Sequence, residues 1–119
     1  MIECISAVTL VTRDMARSVT FYEKLGFDLH FGGPADRFTS FLAGSSALNL
    51  RAATDEPAWV PLARIIFWVS DVDEEYARAV AAGLTPDFLP RDASWGERYF
   101  HITDPDGHGL SFARKLRAG

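Results

Sequence analysis

Three histidines, one cysteine and a few acidic pairs are the residues of this chain whose types suit catalysis or metal binding. A divalent metal needs several imidazoles or carboxylates converging on one point. His30 has no partner at ligand spacing, and His108 falls in a turn. His101 is the one imidazole expected to point inward, and a single inward His reads as a hydrogen-bonding residue. Cys4 cannot form an internal disulfide and sits early in an apolar stretch, so it reads as a small core or pocket-lining residue rather than a nucleophile. Glu74 and Glu75 belong to the start of a helix, where carboxylates complement the dipole and face water. Asp104 and Asp106 read as turn formers, while Glu97 and Arg98 either pair or point inward. Gly32-Gly33 and Gly44 lack phosphate-loop spacing, and no Gly-x-Ser-x-Gly elbow is present, which argues against a serine hydrolase.

Composition narrows the classes further. The chain has 119 residues, 48% of them apolar, which suits one domain over 1–119 without staples or a structural metal. Sixteen acidic residues against twelve basic ones give a net charge of −4, and the only basic cluster is the tail Arg114, Lys115 and Arg117. That is no footprint for nucleic acid. The longest apolar run, Ile65–Val69, is far below the ~20 residues of a bilayer span. No secretory signal pattern opens the chain, so a cytoplasmic location is expected.

The elements that must position these residues come in two related sets. Asp14 suits an N-cap, Met15, Val19, Tyr22 and Leu25 fall on one helical face, and Gly26 suits a left-handed C′ position. At an offset of 57 residues, Asp71 and Gly83 bracket a second helix with Val72, Tyr76 and Ala79 at matching places. Before each helix runs a strand candidate, Ile5–Val11 and Arg64–Val69. After the first come Phe27–Phe31, Phe38–Leu42 and Ala47–Ala52. After the second come Thr85–Leu89, Tyr99–Thr103 and Gly109–Arg114, the last two joined by the turn Asp104-Pro105-Asp106-Gly107. The boundaries are module one 1–53, a linker 54–61 carrying Pro57 and Pro61, and module two 62–119.

Phe21-Tyr22-Glu23-Lys24-Leu25-Gly26-Phe27, Val69-Ser70-Asp71-Val72-Asp73, and Trp95–Phe100 followed by Asp104–His108 together resemble the motifs of the vicinal oxygen chelate superfamily. That superfamily holds glyoxalase I, extradiol dioxygenases and the fosfomycin and bleomycin resistance proteins. The resemblance covers nearly the whole chain in order. It implies an α+β fold of two βαβββ modules, with sheets curled around a cleft and helices outside, usually as a homodimer.

Enzymes of that superfamily hold one divalent metal through His, Gln or Glu on the first and last strands of each module. Carried over, those positions are Ala7, Asn49, Arg64 and Ser111. None matches, and a guanidinium is always cationic. At ~5 Å and an effective dielectric near 20 it would repel a divalent ion by roughly 6–7 kcal/mol. The resemblance is therefore nearest the metal-free bleomycin resistance branch, and no metal, other cofactor or catalytic residue is expected.

If Asp104–His108 form a five-residue loop, His101 lies opposite Ser111, and Tyr99 shares their face. Alternation puts Arg64, Ile66 and Trp68 toward the cleft and Ile65, Phe67 and Val69 toward the helix. Thr9 and Asn49 add polar groups, Trp95 heads the closing hairpin, and Phe31 and Phe38 flank the loop Gly32–Asp36. The expected ligand-binding set is thus Phe31, Phe38, Asn49, Arg64, Trp68, Trp95, Tyr99, His101 and Ser111. Such an aromatic concavity suits a protein sequestering an aromatic or antibiotic-like small molecule. The alternative is a metal-dependent glyoxalase-like lyase or dioxygenase that recruits His101, Glu3 and Glu97. Neither reading involves nucleic acid or a membrane.

Overall fold

The computed structural model describes residues 1–54 and 64–116. The chain divides into two compact units, Met1–Trp59 and Val60–Gly119. Beyond Thr54, the linker expected at 54–61 lies outside the described residues.

Module one runs β1 (Ala7–Thr12), α1 (Met15–Lys24), β2 (Asp28–Phe31), β3 (Phe38–Ala43) and β4 (Ser46–Ala52). Its sheet has the order β1-β4-β3-β2, with β1 parallel to β4 and the other pairs antiparallel. Module two repeats the plan with β5 (Arg64–Trp68), α2 (Val72–Ala81), β6 (Arg91–Asp92), β7 (Glu97–Thr103) and β8 (Gly109–Lys115). Here the order is β5-β8-β7-β6, again with one parallel pair, β5 with β8. Each module is therefore a βαβββ unit of an α+β fold.

The helices start and stop by the same chemistry. The Asp14 carboxylate accepts from the Arg17 amide at 3.0 Å, and Asp71 accepts from the Glu74 amide at 3.1 Å. Each satisfies an amide that has no partner inside its helix. At the other end Gly26 and Gly83 take φ of 96° and 86°. The Phe27 amide then bonds the Tyr22 carbonyl and the Leu84 amide bonds the Ala79 carbonyl, at 3.1 and 2.9 Å. With Gly26 to Glu23 and Gly83 to Val80 these are complete Schellman closures, which need a left-handed residue and so favour glycine.

Each helix packs on one face of its own sheet. In module one Val19 and Tyr22 are buried along with Phe41, Leu48 and Leu50, and the Tyr22 ring meets Phe27 edge-on at 5.6 Å. In module two Tyr76 meets Phe100 edge-on at 5.5 Å, while Phe100 and Phe67 both stack on Phe112 at 5.3 and 5.4 Å. Ile102 and Leu110 complete that layer. Because strand side chains alternate, the residues between these point to the opposite, open face of each sheet.

Two expectations are corrected. Thr85–Leu89 is not a strand: Pro86 and Pro90 remove two donors, and the strand that pairs with β7 is the short polar β6. Strand one begins at Ala7 rather than Ile5, so Cys4 precedes it and is exposed, not core or pocket-lining. The residues between Cys4 and the strand are tied to the sheet by the Ser46 hydroxyl, which donates to the Ile5 carbonyl at 2.8 Å, and by the Ala47 amide, which donates to the Ser6 carbonyl at 2.9 Å.

Candidate functional site

The open face of module two is ordered in rows by its strand register. Arg64 stands beside Gly109 and Thr103; Ile66 beside Ser111 and His101; Trp68 beside Ala113, Tyr99 and Arg91. The placement of His101 opposite Ser111 follows from the turn. One Asp104 carboxylate oxygen accepts from the Asp106 and His108 amides at 2.9 and 2.8 Å, and Gly107 takes φ of 90°. Those constraints fix the loop length and hence the register of β7 on β8.

Arg64 does not extend away from the sheet. Its Nη1 donates to the Leu110 carbonyl at 2.8 Å and lies 3.5 Å from the Ser111 hydroxyl. A Cβ on residue 109 would come within 2.9 Å of the Arg64 guanidinium carbon, so glycine makes room for this pose. Among the described residues, Nε and Nη2 of Arg64 have no acceptor.

Aromatic rings cover the rest of the face. Tyr99 lies 5.1 Å from His101 and 5.5 Å from Trp95, and Phe88 packs on His101 at 4.9 Å and on Tyr99 at 5.5 Å. Arg91 sits 3.7 Å above the Phe88 ring and donates from Nε to the Tyr99 hydroxyl at 3.1 Å. Such contacts each add about 0.5–1.5 kcal/mol beyond area burial. Trp68 and Trp95 are 54% and 66% exposed, so neither is core filling. Burial pushes the His101 imidazole below its ordinary value, and the charge of Arg64 pushes it further the same way. At neutral pH it is an uncharged donor and acceptor.

Two carboxylates border the rings. Glu97 accepts from the Trp95 indole N–H at 2.9 Å, and Asp87 accepts from the Thr103 hydroxyl at 3.1 Å. Arg98, one residue along, points to the helix side. There it donates to Asp73 at 2.8 Å and to Asp92 at 3.0 Å, tying α2 and β6 to β7. The sequence left Glu97 and Arg98 open between pairing and pointing inward; they lie on opposite faces and each takes a different partner. Arg98 thereby holds the short strand that carries Arg91. Alternation from Tyr99 was the signal that could have found this pair.

Module one presents a plainer face. Asn49 Nδ2 donates to Thr9 Oγ1 at 3.3 Å, and Phe31 and Phe38 meet at 6.4 Å across the loop they flank. Ala7 pairs with Ala47 where module two pairs Arg64 with Gly109. The structure thus brings Arg64, Ser111, His101, Tyr99 and Trp95 together on one surface, with Trp68 in the Tyr99 row. Phe31, Phe38 and Asn49 belong to the other unit. Sequence reasoning misses Phe88 and Arg91, because the apolar pattern of Thr85–Leu89 predicts a strand that stops two residues short of Arg91.

The donor set does not fit a divalent metal. In module two the two carried-over positions hold a guanidinium and a hydroxyl 3.5 Å apart, and a guanidinium has no lone pair to offer. Among the described residues no three His, Cys, Asp or Glu side chains are grouped so as to hold a metal ion.

The Glyoxalase/Bleomycin resistance protein/Dioxygenase superfamily model matches residues 5–112, and the chain belongs to that superfamily. A structure of TioX from Micromonospora sp. ML1 is 32% identical, covering 96% of this chain and all of that one, with a TM-score of 0.77. A glyoxalase/bleomycin resistance protein/dioxygenase from Nocardioides is 25% identical, covering 100% of this chain and 87% of that one, with a TM-score of 0.79. A lactoylglutathione lyase from Agrobacterium tumefaciens, 21% identical over 93% of this chain and 92% of that one with a TM-score of 0.73, shares the fold. Among curated proteins, an uncharacterised protein of Mycobacterium bovis is 41% identical over 49 residues, 41% of this chain and 32% of its own length. The chain therefore aligns with about a third of the curated relatives it matches. No helix among the described residues is long and apolar enough to cross a membrane.

Proposed function

We propose that this protein binds an aromatic small molecule on the open face of module two and sequesters it without metal chemistry, in the manner of the bleomycin resistance branch. One observation carries the reading. The position that would supply a metal ligand holds the Arg64 guanidinium, folded over Gly109 beside a face of exposed rings. Flat rings stacked on Trp95 and Tyr99 would lose water from both partners, the usual source of affinity for such ligands. We further propose that the working form is a cytoplasmic homodimer, with no nucleic-acid or membrane partner.

The competing reading, a metal-dependent lyase or dioxygenase, would recruit His101, Glu3 and Glu97. Glu97 already accepts from Trp95, and Glu3 lies outside the unit that carries His101. Elemental analysis of the purified protein with native mass spectrometry tests the choice. A dimer mass without stoichiometric transition metal is expected; one equivalent of zinc, iron, nickel or manganese would reverse it.

A further inference from the structure

We propose that the module-two face selects aromatic anions, with Arg64 receiving the ligand's carboxylate while its ring lies on His101, Tyr99 and Trp95. This deepens the aromatic-binding reading above and rests on it. The charged groups of the face differ in what they already hold. Glu97 accepts from Trp95, Asp87 accepts from Thr103, and Arg91 is held by Tyr99 and covers Phe88. Arg91 spends its Nε on Tyr99, which closes its Nε–Nη2 edge, whereas Arg64 spends only Nη1 on the protein. Its Nε–Nη2 edge has no acceptor among the described residues, and that edge is the one that matches a carboxylate with two parallel hydrogen bonds.

Pose and distance agree with this role. The contacts to Leu110 and Ser111 orient the guanidinium before any ligand arrives, so less side-chain freedom is lost on binding. Ser111 stands between Arg64's strand and His101, so its hydroxyl and the neutral imidazole can donate to the same anion. The guanidinium lies over Gly109 on β8, one strand spacing (~5 Å) and two residue steps (~7 Å) from the His101 row, a span of ~8 Å that a fused two-ring carboxylate covers. Glu97 and Asp87 accept only from the neutral Trp95 and Thr103 donors and keep their charge, so an ammonium ligand is the competitor against which the anion preference is read.

Calorimetric titration of the full chain with 2-naphthoate, 2-naphthamide and 2-naphthylmethylammonium tests the assignment, using R64Q and R91Q as variants and thermal unfolding as the fold control. The expected result is naphthoate binding at least about tenfold tighter than naphthamide, the scale of one charge-assisted bidentate contact. R64Q should erase that preference while still binding naphthamide; R91Q, which loosens the rings it holds, should weaken acid and amide alike and keep their ratio. Should R64Q unfold, R64K reads the same contrast, because it keeps the charge and loses the fork; a clear fall in preference is expected. Equal binding of acid and amide, tighter binding of the ammonium, or a preference that follows Arg91 would each overturn the anion assignment and leave the aromatic site standing. Binding of none of the three probes would overturn both.

Discussion

The two modules share their helix caps, their Schellman closures and their strand order, yet their open faces have little in common. Strand one of each begins 57 residues apart, at Ala7 and Arg64, as do the helices at Met15 and Val72, so the backbone repeat is kept to the residue through the helix. On the helix side both are layers of buried rings and aliphatic groups. On the other side module one carries Ala7, Ala47, Thr9 and Asn49, with Arg51 and Phe38 paired further along the sheet, and module two carries Arg64, Trp68, Tyr99 and His101. Strand alternation is what allows this divergence: the core uses one set of positions and leaves the other free to change chemistry. Stability is therefore expected to be symmetric between modules, and binding asymmetric.

The largest test of that symmetry is in the cores. Phe41→Ala and Phe100→Ala each remove a fully buried ring, and each should cost about 3–5 kcal/mol in urea unfolding. A loss confined to one module would mean that the other core is dispensable, which the shared layering does not allow.

Cap removal gives a smaller effect and sharpens the contrast. Helix α2 keeps Asp73, Glu74 and Glu75 in its first turn, whereas α1 has no acidic residue there. Asp14→Ala should then cost about 1–2 kcal/mol and Asp71→Ala about 0.5–1 kcal/mol, since three carboxylates still complement the dipole of α2. Thermal unfolding of the pair decides; the reverse order would show that the acidic turn contributes nothing.

The smallest effect is electrostatic and belongs to module two alone. His101 titrates below its ordinary value of 6.5 in the folded chain. As pH falls through 6.5 the unfolded chain takes up that proton first, so stability declines until the folded imidazole is also protonated. An imidazole proton followed by NMR should show a midpoint under 6.5. R64Q should raise it only in part, because burial is the larger cause. A full return to 6.5 would make charge, not burial, the dominant influence.

The caps and the closing hairpin were readable from the chain because their chemistry is local. Aspartate and glycine at fixed offsets announce helix ends, and Asp104-Pro105-Asp106-Gly107 sets the register that puts His101 opposite Ser111. The family followed from those same motifs. What escaped was decided by which backbone pairs rather than by the apolar pattern. Thr85–Leu89 has the apolar pattern of a strand, but the backbone that pairs is Arg91–Asp92, held by Arg98 on a neighbouring strand. Phe88 and Arg91 therefore came to the candidate site unannounced. Cys4 was misjudged because apolar neighbours extend past the point where pairing stops.

Gly109 offers a handle on the arginine that leaves the arginine itself in place. A Cβ there would meet the guanidinium carbon at 2.9 Å, and the free end of a flexible side chain can swing aside. Gly109→Ala therefore displaces the cation from its present resting place while keeping its charge. The position acts as an adjusting screw for where positive charge stands on this face.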